Sequence, residues 1–217
     1  MIVKVGSRKS NLALWQTRRI ADLLEEAHDD LDVEIVTMDT LGDRELEKAL
    51  PEIGGKGLLT QELEAALLAD ELDRAVHSLK DLPTDLPDGL GYAGSPQRGT
   101  PADALVSHKW ESLSDLPKDA IIATGSRRRR AELLAEHPGF EFRNLRGNIG
   151  TRLQKLEKHG WDGIIMAATA LERLDRNELI TEELDPAVYV PAASQGAIGI
   201  EARESRDDVA ELLEPVT

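Results

Sequence analysis

Seven of the chain's seventeen arginines, Arg127, Arg128, Arg129, Arg130, Arg143, Arg146 and Arg152, fall between Ser126 and Arg152, although the 217 residues together carry a formal charge of −15. Crowded guanidinium groups repel one another and lose hydration, so such a cluster on an acidic background needs anions close by. Each planar guanidinium fork matches a carboxylate or phosphate in a bidentate way. A ligand carrying several carboxylates or phosphates would satisfy the cluster; arginines simply coating an exposed helix are the plainer alternative. Asp81 is the acid in the most suggestive setting. It follows a short strand and Lys80 and precedes Leu82-Pro83, so it stands either at a cleft edge or in an ordinary turn.

The elements that must position these residues alternate along the chain. Short β-branched runs are followed by stretches of helical period, the pattern of α/β units with largely parallel sheets. Residues 2–5 read as a strand, Gly6-Ser7-Arg8-Lys9-Ser10 as a polar turn, and the next stretch as a helix on which Leu12, Trp15, Leu23, Leu24 and Ala27 share a face. Leu12 and Trp15 are expected in the core, while Gln16 could face either way. Residues 33–38 and 74–77 are expected strands, with a helix over 60–70 between them. After residue 100 the pattern repeats. Residues 121–123 lead through Thr124-Gly125-Ser126 into a helix over 127–136. Residues 141–145 lead through Arg146-Gly147-Asn148 into another, and 163–167 into a third that contains Arg173. Open α/β sheets bind ligands beyond the carboxyl ends of their strands, where helix amino termini present backbone N–H groups. An arginine in a helix's first turn opposes the macrodipole by about 0.3–1 kcal/mol, so Arg128, Arg129 and Arg152 gain from an anion at these corners.

Other function classes recede on composition. The length suits one or two domains and buries roughly 70% of the unfolded chain's surface. No stretch approaches the ~18 apolar residues of a membrane span, and Met1-Ile2-Val3-Lys4-Val5 reads as a strand rather than a secretory signal, so the cytoplasm is expected. The strong acidity argues against a nucleic-acid partner, whose phosphates it repels at long range, or else reflects a salt-adapted surface. His28, His77, His108, His137 and His159 show no i,i+3 or i,i+4 pairing, and cysteine is absent, so no metal site is expected. Gly54-Gly55-Lys56-Gly57 lacks the G-x-x-x-x-G-K-[ST] spacing that wraps phosphates and reads as a surface loop.

Several runs nevertheless match one family in order. Gly6-Ser7-Arg8-Lys9-Ser10 with Leu12-Ala13-Leu14-Trp15-Gln16, Gly54-Gly55-Lys56-Gly57, Ala75-Val76-His77-Ser78-Leu79-Lys80-Asp81-Leu82-Pro83, Leu145-Arg146-Gly147-Asn148 with Thr151-Arg152-Leu153, and Ser194-Gln195-Gly196-Ala197 resemble hydroxymethylbilane synthase, also called porphobilinogen deaminase. The resemblance extends in register over essentially the whole chain. It implies two α/β domains of the periplasmic-binding-protein type II class, with mixed, largely parallel sheets, joined by crossing hinge strands around an active cleft. The first is expected at residues 1–98 plus 194–217 and the second at 99–193.

The same resemblance implies a transferase of porphyrin and haem biosynthesis that condenses four porphobilinogen molecules, with loss of ammonia, on a dipyrromethane primer. Asp81 matches the catalytic aspartate, whose carboxylate would hydrogen-bond pyrrole N–H groups and stabilise the cationic azafulvene left when ammonia departs. Lys80, Ser126, Arg128, Arg129 and Arg152 match positions that hold the cofactor's carboxylates, with Ser10 and Thr124 in support. Arg8, Arg146 and Arg173 match those that receive substrate or the growing pyrrole chain, with Gln16 and Gln195 in support, and Lys56 belongs to a segment that covers the cleft. A monomer without metal, membrane or nucleic-acid partner is expected. Two departures qualify the match. Arg127 and Arg130 stand where the family more often has uncharged residues. The family also continues into a third, α+β domain bearing the cysteine that anchors dipyrromethane, so a truncated form unable to hold its primer covalently is expected. A non-catalytic module that closes over small polycarboxylates is the alternative from another class.

Overall fold

The β-branched runs form two five-stranded sheets, one in each of two units: Met1–Gly99 with Ala197–Thr217, and Thr100–Gly196. The computed structural model describes residues 1–44, 57–206 and 212–217. In the first unit β1 (Ile2–Arg8), β2 (Asp32–Met38), β3 (Arg74–Ser78), β4 (Leu90–Gly94) and β10 (Ile198–Arg203) lie in the order β2-β1-β3-β10-β4. In the second, β5 (Asp103–Val106), β6 (Ile121–Ala123), β7 (Glu141–Arg143), β8 (Gly163–Ala167) and β9 (Glu182–Glu183) lie in the order β7-β6-β8-β5-β9. Both sheets follow one plan: β1 is parallel to β2 and β3, and β6 to β7 and β8, while β10 and β5 run antiparallel to their neighbours. The parallel strands require helical crossovers, supplied in the first unit by α1 (Asn11–Ala27), the helical turn α2 (Leu41–Arg44) and α3 (Gln61–Leu68). In the second they are α4 (Arg127–Glu136), α5 (Ile149–His159) and the short α6 (Ala168–Glu172).

Ser10 caps α1, its hydroxyl accepting from the Ala13 N–H at 3.3 Å. The face that α1 buries is Ala13, Gln16, Thr17, Ile20, Ala21 and Leu24, which differs from the expected stripe. Leu12 is only half-buried and Trp15 is exposed. Small residues at positions 13, 17 and 21 let the helix approach the sheet closely, so the bulky Trp15 is turned outward and Gln16 inward. Gly6, within β1, permits a separate close approach, to Leu72 and to Leu63 of α3, since a β-carbon there would stand 2.4 Å from Leu72 Cδ1 and 2.8 Å from Leu63 Cδ2. Ile20 and Leu24 pack with Val3, Val5, Val76 and Ile200 in one core cluster. Leu105, Ile122, Leu133 and Ile165 anchor a cluster in the second unit. Among the described residues no helix is long and apolar enough to cross a membrane.

One polar group lies beneath β3. His77 and Glu201 are both buried, with Nε2 3.0 Å from Oε2, and Glu64 of α3 is buried too, taking a hydrogen bond from Thr60. Burial pushes the Glu64 carboxyl above its ordinary pKa; the Thr60 hydrogen bond opposes this, the Glu201 charge adds to it and His77 subtracts. A carboxyl whose folded-state pKa is raised contributes stability in full below its unfolded pKa and loses it as pH rises through the folded value. Glu64→Gln, which keeps the acceptor for Thr60 without the charge, is therefore expected to raise the thermal midpoint at pH 7.5 and leave it unchanged near pH 4. A lower midpoint at pH 7.5 would show that the ionised form is the favoured one.

Candidate functional site

The loop after β6 is tied down before any arginine is placed. Thr124 N–H donates to the Arg143 carbonyl at 3.0 Å, the Thr124 hydroxyl accepts from Ser126 N–H at 3.2 Å, and the Ser126 hydroxyl caps α4 by accepting from Arg129 N–H at 3.4 Å. The two arginines of that first turn then converge on Asp103, at the head of β5. Arg128 Nη2 lies 2.7 Å from Oδ2 and Arg129 Nη2 lies 2.6 Å from Oδ1. Gln195 Nε2 donates to the same Oδ1 at 2.8 Å. Asp103 is 1% exposed. Burial, the strongest single influence, pushes its carboxyl up, but hydrogen bonds and charge from Arg129, Gln195 and Arg128 together outweigh it and hold the pKa below the ordinary aspartate value.

Part of the anion that the sequence seeks from a ligand thus comes from the chain itself. Glu132 supplies more, 2.8 Å from Arg128 Nη1, which also donates to the Val190 carbonyl at 2.7 Å. Asp103 escaped the sequence analysis; the signal that could have found it is a charge heading an otherwise apolar strand, Asp103-Ala104-Leu105-Val106, because a buried carboxylate must be paired. Capacity for an outside anion remains. Arg128 is half-buried, and a guanidinium has five N–H donors, two of which go beyond its three bonds to Asp103, Glu132 and Val190. Arg129 is buried, with Nη1 on the Ile165 carbonyl, and its Nε is enclosed without a hydrogen-bond partner. Guanidiniums and hydroxyls make a donor set suited to carboxylates.

A second corner follows β7. Asn148 caps α5, accepting from Thr151 N–H at 2.9 Å, and Gly147 turns the chain at φ 109°, where a β-carbon would meet Thr151 Cγ2 at 2.7 Å. Arg152 Nε donates back to the Gly147 carbonyl at 2.7 Å, and Lys155 Nζ to that of Arg146 at 3.1 Å, so both arginines are half-buried at a braced turn. Arg173 caps α6 and reaches the Gly196 carbonyl at 2.5 Å. Burial lowers its pKa, against the opposing Glu172 charge. The other arginines lead elsewhere. Arg127 is exposed, Arg130 lies over the Phe142 ring at 5.6 Å, and Arg143 pairs with Glu141 at 2.8 Å on the surface.

In the first unit β3 runs into a single 3₁₀ turn, Leu79–Asp81. The turn is pinned at both sides: Leu79 N–H donates to the Ala197 carbonyl at 3.0 Å and Leu82 N–H to that of Leu79 at 3.2 Å. Gln16 Nε2, from α1, holds the Ser78 hydroxyl at 3.0 Å. Lys80 and Asp81 are left exposed beyond it. Because β1 and β3 are parallel neighbours, with Val5 opposite Arg74, half-buried Arg8 and Ser10 leave the sheet from the same edge as Asp81. The parallel trio β7, β6 and β8 likewise brings Arg146, Thr124, Ser126 and the start of α6 to one edge of the second sheet. Each unit therefore gathers its candidates at the carboxyl ends of its strands, where α/β sheets bind ligands. Lys56 lies outside the described residues. Among the described residues no group of three or more histidine, aspartate and glutamate side chains is placed to hold a metal.

Residues 3–211 match the family model described as "Porphobilinogen deaminase, dipyromethane cofactor binding domain". The chain is 46% identical over 213 residues to the porphobilinogen deaminase of Staphylococcus carnosus, covering 98% of this chain and 69% of that protein. It is 47% identical over 214 residues to that of Desulforamulus reducens, covering 99% and 69%. Among solved structures, the probable amino-acid transporter extracellular-binding protein ytmK from Bacillus subtilis aligns with a TM-score of 0.61 at 11% identity, over 99% of this chain and 89% of that one. The Bordetella pertussis BvgS periplasmic VFT2 domain gives 0.55 at 17%, over 99% and 86%. At such identities the likeness shows the fold alone, the two-unit periplasmic-binding-protein class.

Proposed function

The chain belongs to the porphobilinogen deaminase family, and from that premise we propose that it performs the family's transferase reaction, the stepwise deaminative condensation of four porphobilinogen molecules into hydroxymethylbilane. The observation that carries this reading is Asp81, an exposed carboxylate next to Lys80 on a turn fixed by Ala197, Leu79 and the Gln16–Ser78 pair. Porphobilinogen loses ammonia from an aminomethyl carbon, and positive charge spreads into its pyrrole ring as it does so. A carboxylate that accepts the pyrrole N–H stabilises that charge where it develops, and a turn held in place needs no reorganisation to do so. The same carboxylate can take up the proton that the newly joined ring must lose.

Each pyrrole also carries an acetate and a propionate. In the second unit Ser126, Arg128, Arg129 and Arg152, with Thr124, would receive the carboxylates of dipyrromethane; in the first, Lys80 and Ser10 would do so. When bound, that cofactor supplies the pyrrole carbon to which the first substrate is joined. Arg146, Arg173 and Gln195 in the second unit, and Arg8 and Gln16 in the first, are assigned to substrate and growing chain. Buried Gln16 and Gln195 act by holding Ser78 and Asp103, and Lys56 keeps a gating role. The reading carries with it a monomeric, cytoplasmic protein that uses no metal.

The test is to add porphobilinogen to the whole polypeptide that the gene encodes and follow ammonia release together with bilane formation. Four ammonia molecules per bilane are expected. Tight calorimetric binding of succinate with indifference to porphobilinogen would replace this reading with a small-anion binding module.

A further inference from the structure

We infer that Asp103 is the positioning residue of the arginine corner: its carboxylate holds Arg128 and Arg129 in one orientation, so that Arg128 meets a ligand carboxylate already ordered. This rests on the reading of that corner as carboxylate-binding. Asp103 gives one oxygen to each guanidinium, Oδ2 to Arg128 at 2.7 Å and Oδ1 to Arg129 at 2.6 Å. A lone carboxylate divided between two arginines could swing to favour either. Gln195 prevents this, because its Nε2 clamps Oδ1 at 2.8 Å while also donating to the Pro101 carbonyl at 2.6 Å. Arg129 is anchored on its other side by the Ile165 carbonyl at 3.2 Å.

The charges support orientation rather than bulk stability as the purpose. A buried ion pair adds little net stability, since desolvation offsets most of the attraction. Asp103 and Glu132 together balance the two guanidinium charges, and Glu132, the less buried of the two, is the one a ligand carboxylate would displace from Arg128. An arginine side chain has about 2 kcal/mol of rotamer entropy to lose, and fixing it beforehand removes that cost from binding.

The experiment is side-chain nitrogen-15 NMR of the arginines, paired with mass spectrometry of dipyrromethane assembly, both on the polypeptide that the gene encodes. Hindered rotation should give resolved Nη signals for Arg128 and Arg129 in the parent protein. Asp103→Asn should merge the Arg128 signals, leave the backbone amide spectrum folded and slow cofactor assembly about ten- to hundredfold, the scale of a misplaced reacting group. Rotationally averaged Nη signals in the parent, or unaltered ones in Asp103→Asn, overturn the proposal, as does merging accompanied by a normal assembly rate. Should Asp103→Asn not fold, Gln195→Leu keeps both ion pairs but unclamps Oδ1; broadened Arg129 signals are then expected, and sharp ones count against it. A parent protein that never consumes porphobilinogen undermines the proposed function instead, and the NMR comparison still decides what Asp103 does.

Discussion

Asp81→Ala is expected to eliminate bilane formation, by at least about 10²–10³-fold in turnover, the scale on which a group aimed at developing charge is missed. The fold should survive, because Asp81 is exposed and the turn is held by backbone bonds from Leu79 and Leu82 that its side chain does not share. A surface change of this kind shifts stability by no more than about 0.5 kcal/mol. Asp81→Asn sharpens the point, since the amide oxygen can still accept a pyrrole N–H but brings no negative charge. If the carboxylate acts electrostatically, the asparagine protein should be nearly as impaired as the alanine one. Stopped-flow measurement of ammonia release with an unchanged thermal midpoint would bear this out. Turnover within tenfold of the parent in either variant removes Asp81 from the role, and a recovered asparagine protein alone would reduce that role to orientation.

Local pattern made the scaffold legible and left most of its tertiary partnerships hidden. The runs at 33–38, 121–123 and 163–167 and the helix over 127–136 appear where periodicity and turn residues place them, within a residue. The turn that leaves Asp81 exposed was visible because the strand, the lysine and Leu82-Pro83 are contiguous. What failed was whatever depended on a distant residue. Trp15 was assigned to the core by its place on the stripe with Leu12, yet the side of α1 that meets the sheet is decided by the small residues at 13, 17 and 21. Gln16 could not be oriented because its partner, Ser78, is 62 positions away. The internal partner of the arginine run was hidden for the same reason, because Asp103 lies 25 and 26 positions before Arg128 and Arg129. Buried Glu64, Glu201 and His77 carry no local signature at all, since only the packing of α3 on β3 and β10 brings them together.

The pair Arg128 and Arg129, alike in sequence, should separate cleanly on mutation. Arg129 has a side chain 9% exposed against 25% for Arg128, and it donates to Asp103, Gln195 and the Ile165 carbonyl from within the unit. Arg129→Ala leaves Asp103 buried with reduced compensation, and breaking a buried pair in this way costs about 3–5 kcal/mol. Chemical denaturation at pH 7 should show it. The pH dependence has a fixed sign. Asp103's folded pKa is depressed, so its pairing contributes stability above the unfolded aspartate's pKa and loses it as pH falls through the folded value. The gap between parent and Arg129→Ala should therefore be full at neutral pH and close in acid. Arg128→Ala removes a partly solvated pair and should cost about 1 kcal/mol or less. Its expected defect is in cofactor assembly, read by mass spectrometry as protein lacking the dipyrromethane mass. Equal destabilisation by the two variants would mean that burial does not distinguish these arginines. Normal assembly in Arg128→Ala would move carboxylate binding away from this corner, toward the braced turn of Arg146 and Arg152.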